Sequence, residues 1–218
     1  MKAIIFDVDG TLWNSTEQVA AAWTQAVSEH TQLKRTITSE DLMREFGKPM
    51  DKIVNALFPE LSKEEQESLS VHLFRYENRR VETAPCEIYE GMPETIRELS
   101  RSYPLLIVSN CQGGYIEAFL KNTGLSEYFG DHMCPDDTGK LKAENIRLIM
   151  ERNGITEAVY VGDTQGDADA CKEARIPMIY AAYGFGDVEG EYVTIHSFNE
   201  LLSLDYEGFW SAGTERDR

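Results

Sequence analysis

Two aspartates one residue apart close the first apolar run of the chain, in MKAIIFDVDGTL. Residues i and i+2 of a strand share a face, so Asp7 and Asp9 would crowd if the strand ran through both. Two anions that close repel each other unless a cation sits between them or one holds a proton. The chemistry on offer is therefore a metal ligand or nucleophile paired with a proton carrier. Two further polar groups have the same setting, at the end of an apolar run, and a lysine lies between them. Ser109 and Asn110 end PLLIVSN, Asp163 ends AVYVGD with Asp167 four residues on in GDTQGD, and Lys142 lies between these two stretches.

Such groups need a frame. Residues 2–7 read as a fully buried strand. From Ser15 the rhythm becomes helical: Ala20, Trp23 and Val27 recur on one face, with Ser15 or Thr16 available as an N-cap. Further helices are expected at about 39–46, 50–57 and 63–81, so residues 14–82 read as an all-helical unit. Beyond APCEIYEGMPE, helices and strands alternate. Helices are expected at 93–101, 113–122, 143–153, 166–174 and 197–203, and strands at 104–110, 128–134, 158–163 and 177–182. That alternation predicts an α/β fold, a doubly wound parallel sheet with helices on both faces, interrupted after its first strand by a helical insert. In such sheets ligands bind outside the carboxyl ends of the strands, where Asp7, Ser109, Asn110 and Asp163 fall. The expected division is 1–13 and 83–204 for the core and 14–82 for the insert, with 205–218 a loose polar tail.

Composition narrows the function. Of 218 residues 42% are apolar and 27% charged, as in folded globular domains, and the formal net charge is −17. Such a surface disfavours nucleic acid and anionic membranes. No stretch approaches the roughly 20 apolar residues of a membrane span, and MKAIIF runs straight into charge, so a cytoplasmic location is expected. Cys86, Cys111, Cys134 and Cys171 have no C-x-x-C spacing and read as reduced thiols. Cys111, next to Asn110, is either a buried thiol or a point of oxidation.

The ordered set DVDGT, SN, Lys142 and GDTQGD resembles the four motifs of the haloacid dehalogenase superfamily, and the helical insert resembles the cap of its phosphoglycolate phosphatase-like and β-phosphoglucomutase-like branch. The third motif departs from the family's usual Lys-Pro. Lys142, leading KAEN into a helix, fits the spacing better than Lys140. The resemblance implies a Rossmann-like core and a Mg²⁺-dependent phosphatase. Asp7 would attack phosphorus, and Asp9 would protonate the leaving oxygen and then deprotonate water. The metal would take the Asp7 carboxylate, the Asp9 backbone carbonyl and the Asp163 carboxylate, with Asp167 a ligand or a support. Lys142 and Ser109, with backbone N–H groups near Asn110 and Thr11, would hold the phosphoryl oxygens. Arg44 and Lys48 of REFGKPM would reach an anionic or hydroxylated leaving group, and Trp13 and Asn14 would line the cleft or pack the hinge. An Asp two residues after the nucleophile, absent from the superfamily's dehalogenases, points to an oxygen leaving group. The expected substrate is a small phosphorylated metabolite, phosphoglycolate- or sugar-phosphate-like, acted on by a monomer. A phosphomutase and a non-catalytic binding protein are the competing readings.

Overall fold

The computed structural model describes residues 1–214. In chain order the elements are β1 (Lys2–Phe6), β2 (Trp13–Asn14), α1 (Thr16–His30), α2 (Ser39–Met43), α3 (Met50–Leu57), α4 (Lys63–Val81), β3 (Glu87–Ile88) and α5 (Met92–Leu99). They continue with β4 (Leu105–Val108), α6 (Tyr115–Thr123), β5 (Phe129–Met133), α7 (Pro135–Thr138), α8 (Lys142–Arg152) and β6 (Glu157–Gly162). The last are α9 (Gln165–Ala174), β7 (Met178–Ala181), β8 (Val193–Ile195), a 3-10 turn (Phe198–Ser203) and α10 (Tyr206–Thr214).

Six strands form one parallel sheet in the order β5-β4-β1-β6-β7-β8. The chain steps outward from β1 to β4 and β5, then returns to the other side of β1 for β6, β7 and β8. The switch in direction at β1 opens a crevice beyond the carboxyl ends of the central strands. Register aligns those ends: Phe6 pairs with both Ile107 and Val161, so Asp7, Ser109 and Asp163 emerge side by side.

Strand β1 shows why the sheet is covered on both faces. Ile4 and Phe6 join one apolar cluster, with Ile96, Phe119 and Phe198, while Ala3 and Ile5 join another with Ile146, Ile149 and Cys171. The period of two sends alternate residues to opposite helical layers. The first cluster runs on without a break into Trp23, Phe58 and Leu73 of the helices between β2 and β3. No helix among the described residues is long and apolar enough to cross a membrane.

Three departures from the sequence-based expectations have clear causes. Trp13–Asn14 and Glu87–Ile88 pair as a short antiparallel ribbon where the chain leaves and re-enters the sheet; two-residue strands carry no periodicity to read. The N-cap of α1 works differently: Asn14 Oδ1 accepts the Thr16 N–H at 3.1 Å, and Ser15 makes no cap bond. The expected loose tail is instead helical over Tyr206–Thr214. Tyr206 and Trp210, one turn apart, are both buried, and their rings approach Tyr103 at 5.1 and 6.5 Å. This pair is hidden in a polar composition. The rest of that tail, 215–218, lies outside the described residues.

Candidate active site

The turn after β1 separates the two aspartates that open the chain. Gly10 adopts φ +80°, and a Cβ there would lie 2.1 Å from Asp163 Oδ2, so both the backbone conformation and the close approach require glycine. Asp7 stays at the strand end, tied by its N–H to the Val161 carbonyl at 2.9 Å. Asp9 turns elsewhere. Its Oδ1 accepts from Tyr115 Oη at 2.6 Å, Ser15 Oγ at 2.8 Å and Trp13 Nε1 at 3.1 Å. Burial still dominates and raises the Asp9 carboxyl to about 7, against the pull of those three donors.

Lys142 is 2% exposed, at the first position of α8. Its Nζ lies 2.6 Å from Asp167 Oδ1 and 3.0 Å from Asp7 Oδ1. Burial alone would lower its pKa, but the charges of Asp167 and Asp7 hold it above the ordinary lysine value. Lys140 is exposed and faces Glu144 at 3.4 Å; the side chain that reaches Asp7 is that of Lys142.

Asp167 serves two ends. Oδ1 meets Lys142, while Oδ2 accepts the Thr164 N–H at 2.9 Å, Thr164 Oγ1 at 2.7 Å and the Asp163 N–H at 3.2 Å. The Thr164 N–H contact, with the Asp167 N–H returned to Thr164 Oγ1 at 3.3 Å, makes the capping box that starts α9. Asp163 is fixed by Thr11 Oγ1 at 2.9 Å and the Phe185 N–H at 2.8 Å. Burial, with Asp167 and Asp7 adding, raises its carboxyl well above the usual range.

Asp7, Asp163 and Asp167, all buried, offer oxygens within 4.8 Å of one another. One ammonium pairs with two of these three carboxylates, so the cluster is short of positive charge. A hard, all-oxygen donor set of this kind fits Mg²⁺ better than a softer metal. The Asp9 carboxylate is not part of the cluster. Burial raises Asp7 to about 6, with Asp167 adding to the rise and Lys142 and Ser109 opposing it.

Above the cluster lies a cavity of about 20 Å³, bounded by Asp7, Asp9, Ser109 and Asn110 below and by Phe46, Lys48, Met50, Ile53 and Glu77 above. Asn110 Nδ2 donates to the Gly47 carbonyl at 2.9 Å, and Gln112 Nε2 to Asn78 Oδ1 at 2.7 Å. These bonds clasp the inserted helices to the ends of β4.

Three expected roles meet different surroundings, and Trp13 takes the packing role of its two expected ones. Arg44 does not reach the cavity: it is exposed and bonds Asp41 at 2.8 Å. Lys48 borders the cavity, but its Nζ is held by Glu45 at 2.7 Å. The Thr11 N–H is spent on the Val8 carbonyl at 3.2 Å, and its hydroxyl orients Asp163. Trp13 is fully buried, packs on Phe119 at 5.0 Å and serves Asp9; Asn14 bonds Glu87 at 3.0 Å. Cys111 is buried, and burial pushes its thiol well above the usual range, which removes the thiolate that oxidation needs. Sequence reasoning missed Tyr115, Ser15 and Glu77. None has a local motif, since each reaches the site only through tertiary packing.

A family model described as haloacid dehalogenase-like hydrolase matches residues 4–181. The chain is 30% identical over 179 residues to the pyrophosphatase PpaX of Bacillus velezensis, covering 79% of each. It is 28% identical over 202 residues to a phosphoglycolate phosphatase of Vibrio vulnificus, covering 87% of each. In fold it is similar to a haloacid dehalogenase-like family hydrolase from Streptococcus pneumoniae, with TM-score 0.77, 22% identity, and 92% and 96% of the two chains covered.

Proposed function

The chain belongs to the haloacid dehalogenase-like hydrolases, and from that premise we propose that it is a Mg²⁺-dependent phosphatase of small phosphorylated metabolites. The observation that carries this reading is the buried cluster in which Lys142 bridges Asp7 and Asp167, beside Asp163, under a small cavity roofed by the inserted helices. The relatives named for phosphoglycolate and pyrophosphate add support.

In this reading Asp7 attacks phosphorus and forms an aspartyl-phosphate that water then hydrolyses. Lys142 lowers the repulsion between the Asp7 carboxylate and the phosphoryl oxygens. Ser109 and the backbone beside Asn110 hold those oxygens. Asp9, buried and proton-retaining, gives its proton to the leaving oxygen and takes one from the attacking water. Asp7, Asp163 and the Asp9 carbonyl would hold the metal, and Asp167 positions Lys142 and the Asp163 loop. Magnesium, when bound, supplies positive charge to the transferring phosphoryl group.

Residues 14–82 act as a cap on the core formed by 1–13 and 83–204, with α10 packed onto that core. A cavity of about 20 Å³ has room for a water molecule but not a phosphoryl group. Movement of the cap would admit substrate, and its closure over the site would exclude water.

Phosphate release from p-nitrophenyl phosphate and a panel of metabolite phosphates, with Mg²⁺ and with chelator, tests the reading. Turnover that needs Mg²⁺ and disappears in Asp7→Asn is expected. Metal-independent turnover, or an Asp7→Asn enzyme that keeps its activity, overturns it.

A further inference from the structure

Glu77 stands where its helix asks for an apolar side chain. The buried positions of α4 recur every fourth residue, Leu69, Leu73, Glu77 and Val81, and Glu77 is 2% exposed. Trp23 Nε1 donates to its Oε2 at 2.6 Å. A neutral amide oxygen would satisfy that indole at lower desolvation cost, so an acid at this position calls for a further reason. Burial raises its carboxyl to about 8, against the pull of Trp23 and Gln112, with Asp9 adding to the rise.

The reason lies in what Glu77 faces. It borders the cavity over Asp7 and Asp9, where its neighbours from the inserted helices and their loop include Phe46, Met50 and Ile53. The nearby cations are engaged: Lys48 with Glu45, on a half-exposed side chain at the rim, and Arg44 with Asp41 outside this cavity. The side that the inserted helices present to this cavity is thus apolar apart from Glu77 and a lysine paired with Glu45, while Arg44 lines the adjoining groove with Lys48 and Lys142.

We propose, resting on the phosphatase reading above, that Glu77 sets leaving-group specificity: the enzyme cleaves phosphate esters of uncharged, hydroxyl-bearing alcohols and discriminates against leaving groups that carry a carboxylate or a second phosphate. Ionised, Glu77 repels such an anion at short range in a medium of low dielectric. Protonated, it offers one donor but no counter-charge, and an anion sealed from water needs one. A hydroxyl group meets the carboxyl in either state, as donor or acceptor. Phosphoglycolate and pyrophosphate both expel anions, so this chain departs from the relatives bearing those names.

The experiment compares kcat/KM of the full chain with Mg²⁺ for glycerol phosphate and glucose 6-phosphate against phosphoglycolate and pyrophosphate, with p-nitrophenyl phosphate as reference. The neutral-alcohol esters are expected to lead by at least about tenfold. Glu77→Gln, which keeps an acceptor for Trp23, narrows that ratio, and Glu77→Lys inverts it. Preference of the unmodified enzyme for phosphoglycolate or pyrophosphate overturns the proposal without any variant having to fold. So does an unchanged ratio in a Glu77→Gln protein of unaltered melting temperature. If p-nitrophenyl phosphate is cleaved and the ratio is reversed, only the role of Glu77 falls. If no ester is cleaved, the phosphatase reading falls with it.

Discussion

Tyr115 gives its phenolic hydrogen bond to Asp9 Oδ1 at 2.6 Å, across 106 residues of sequence. The contact joins the start of α6 to the turn after β1, and it aims the carboxyl of Asp9 away from the acidic cluster beneath. The two aspartates of the opening motif thereby acquire different surroundings: Asp7 faces an ammonium, Asp9 faces three neutral donors.

Asp9→Asn should cost about 10²–10⁴ in kcat on alkyl phosphates, the usual worth of a positioned acid. It should cost far less on p-nitrophenyl phosphate, whose leaving group needs little protonation. Tyr115→Phe removes a bond that lowers the pKa of Asp9 and should show the same pattern with a smaller loss. Steady-state kinetics on both substrates reads this out. Equal losses on the two would remove Asp9 from proton transfer.

Lys142→Met should leave the carboxylates of Asp7 and Asp167 buried without their cation. Breaking a buried ion pair from one side costs about 3–5 kcal/mol. Urea unfolding should show that loss, and added Mg²⁺ should return part of it by replacing the missing charge. A variant as stable as the parent would mean that the lysine does not balance the cluster.

Mg²⁺ should raise the melting temperature of the parent protein, because it binds the folded cluster and not the unfolded chain. At about a hundredfold excess over its Kd the gain is about 2.7 kcal/mol. Asp163→Asn should weaken the effect sharply. Calorimetry with and without chelator tests this; a parent indifferent to Mg²⁺, or a variant that responds equally, refutes the assignment of ligands.

Glu77 should make stability depend on pH. Its carboxyl is raised from 4.5 to about 8 in the folded chain. The folded state therefore holds a proton that the unfolded state releases above its own pKa. The contribution is complete below about pH 4.5 and is lost as pH rises to about 8. Between those limits the slope is at most about 1.4 kcal/mol per pH unit. Denaturation of the parent and of Glu77→Gln across this window should show their difference shrinking or changing sign with rising pH. A constant difference would place the carboxyl at an ordinary pKa.

What the sequence made legible follows from how local each signal is. β1, β4, β6 and β7 are apolar runs bounded by turn residues, and α1, α3 and α4 carry stripes at helical spacing, so their positions were readable within a few residues. Asp7 and Asp163 were readable because the carboxyl ends of parallel strands must lie together, whereas Lys142 was picked out by its resemblance to the family's third motif. Asp167 was visible as a candidate, but its division between Lys142 and the Thr164 cap was not, since that depends on how α8 and α9 pack. Tyr115 and Glu77 sit among ordinary helical residues, and nothing within several positions of either marks it. Arg44 looked suited to the cleft by type and neighbourhood, yet an aspartate three residues earlier holds it on the surface.

The ribbon strand Trp13–Asn14 and the residue after it have a consequence for timing. Trp13 and Ser15 supply two of the three bonds that steady Asp9, and they are also the first steps of the chain's path into α1. Asp7, by contrast, is anchored through β1 to the sheet. A swing of the inserted helices about that path would tug on Asp9 and spare Asp7, so the proposed gate and the proposed acid would share one tether.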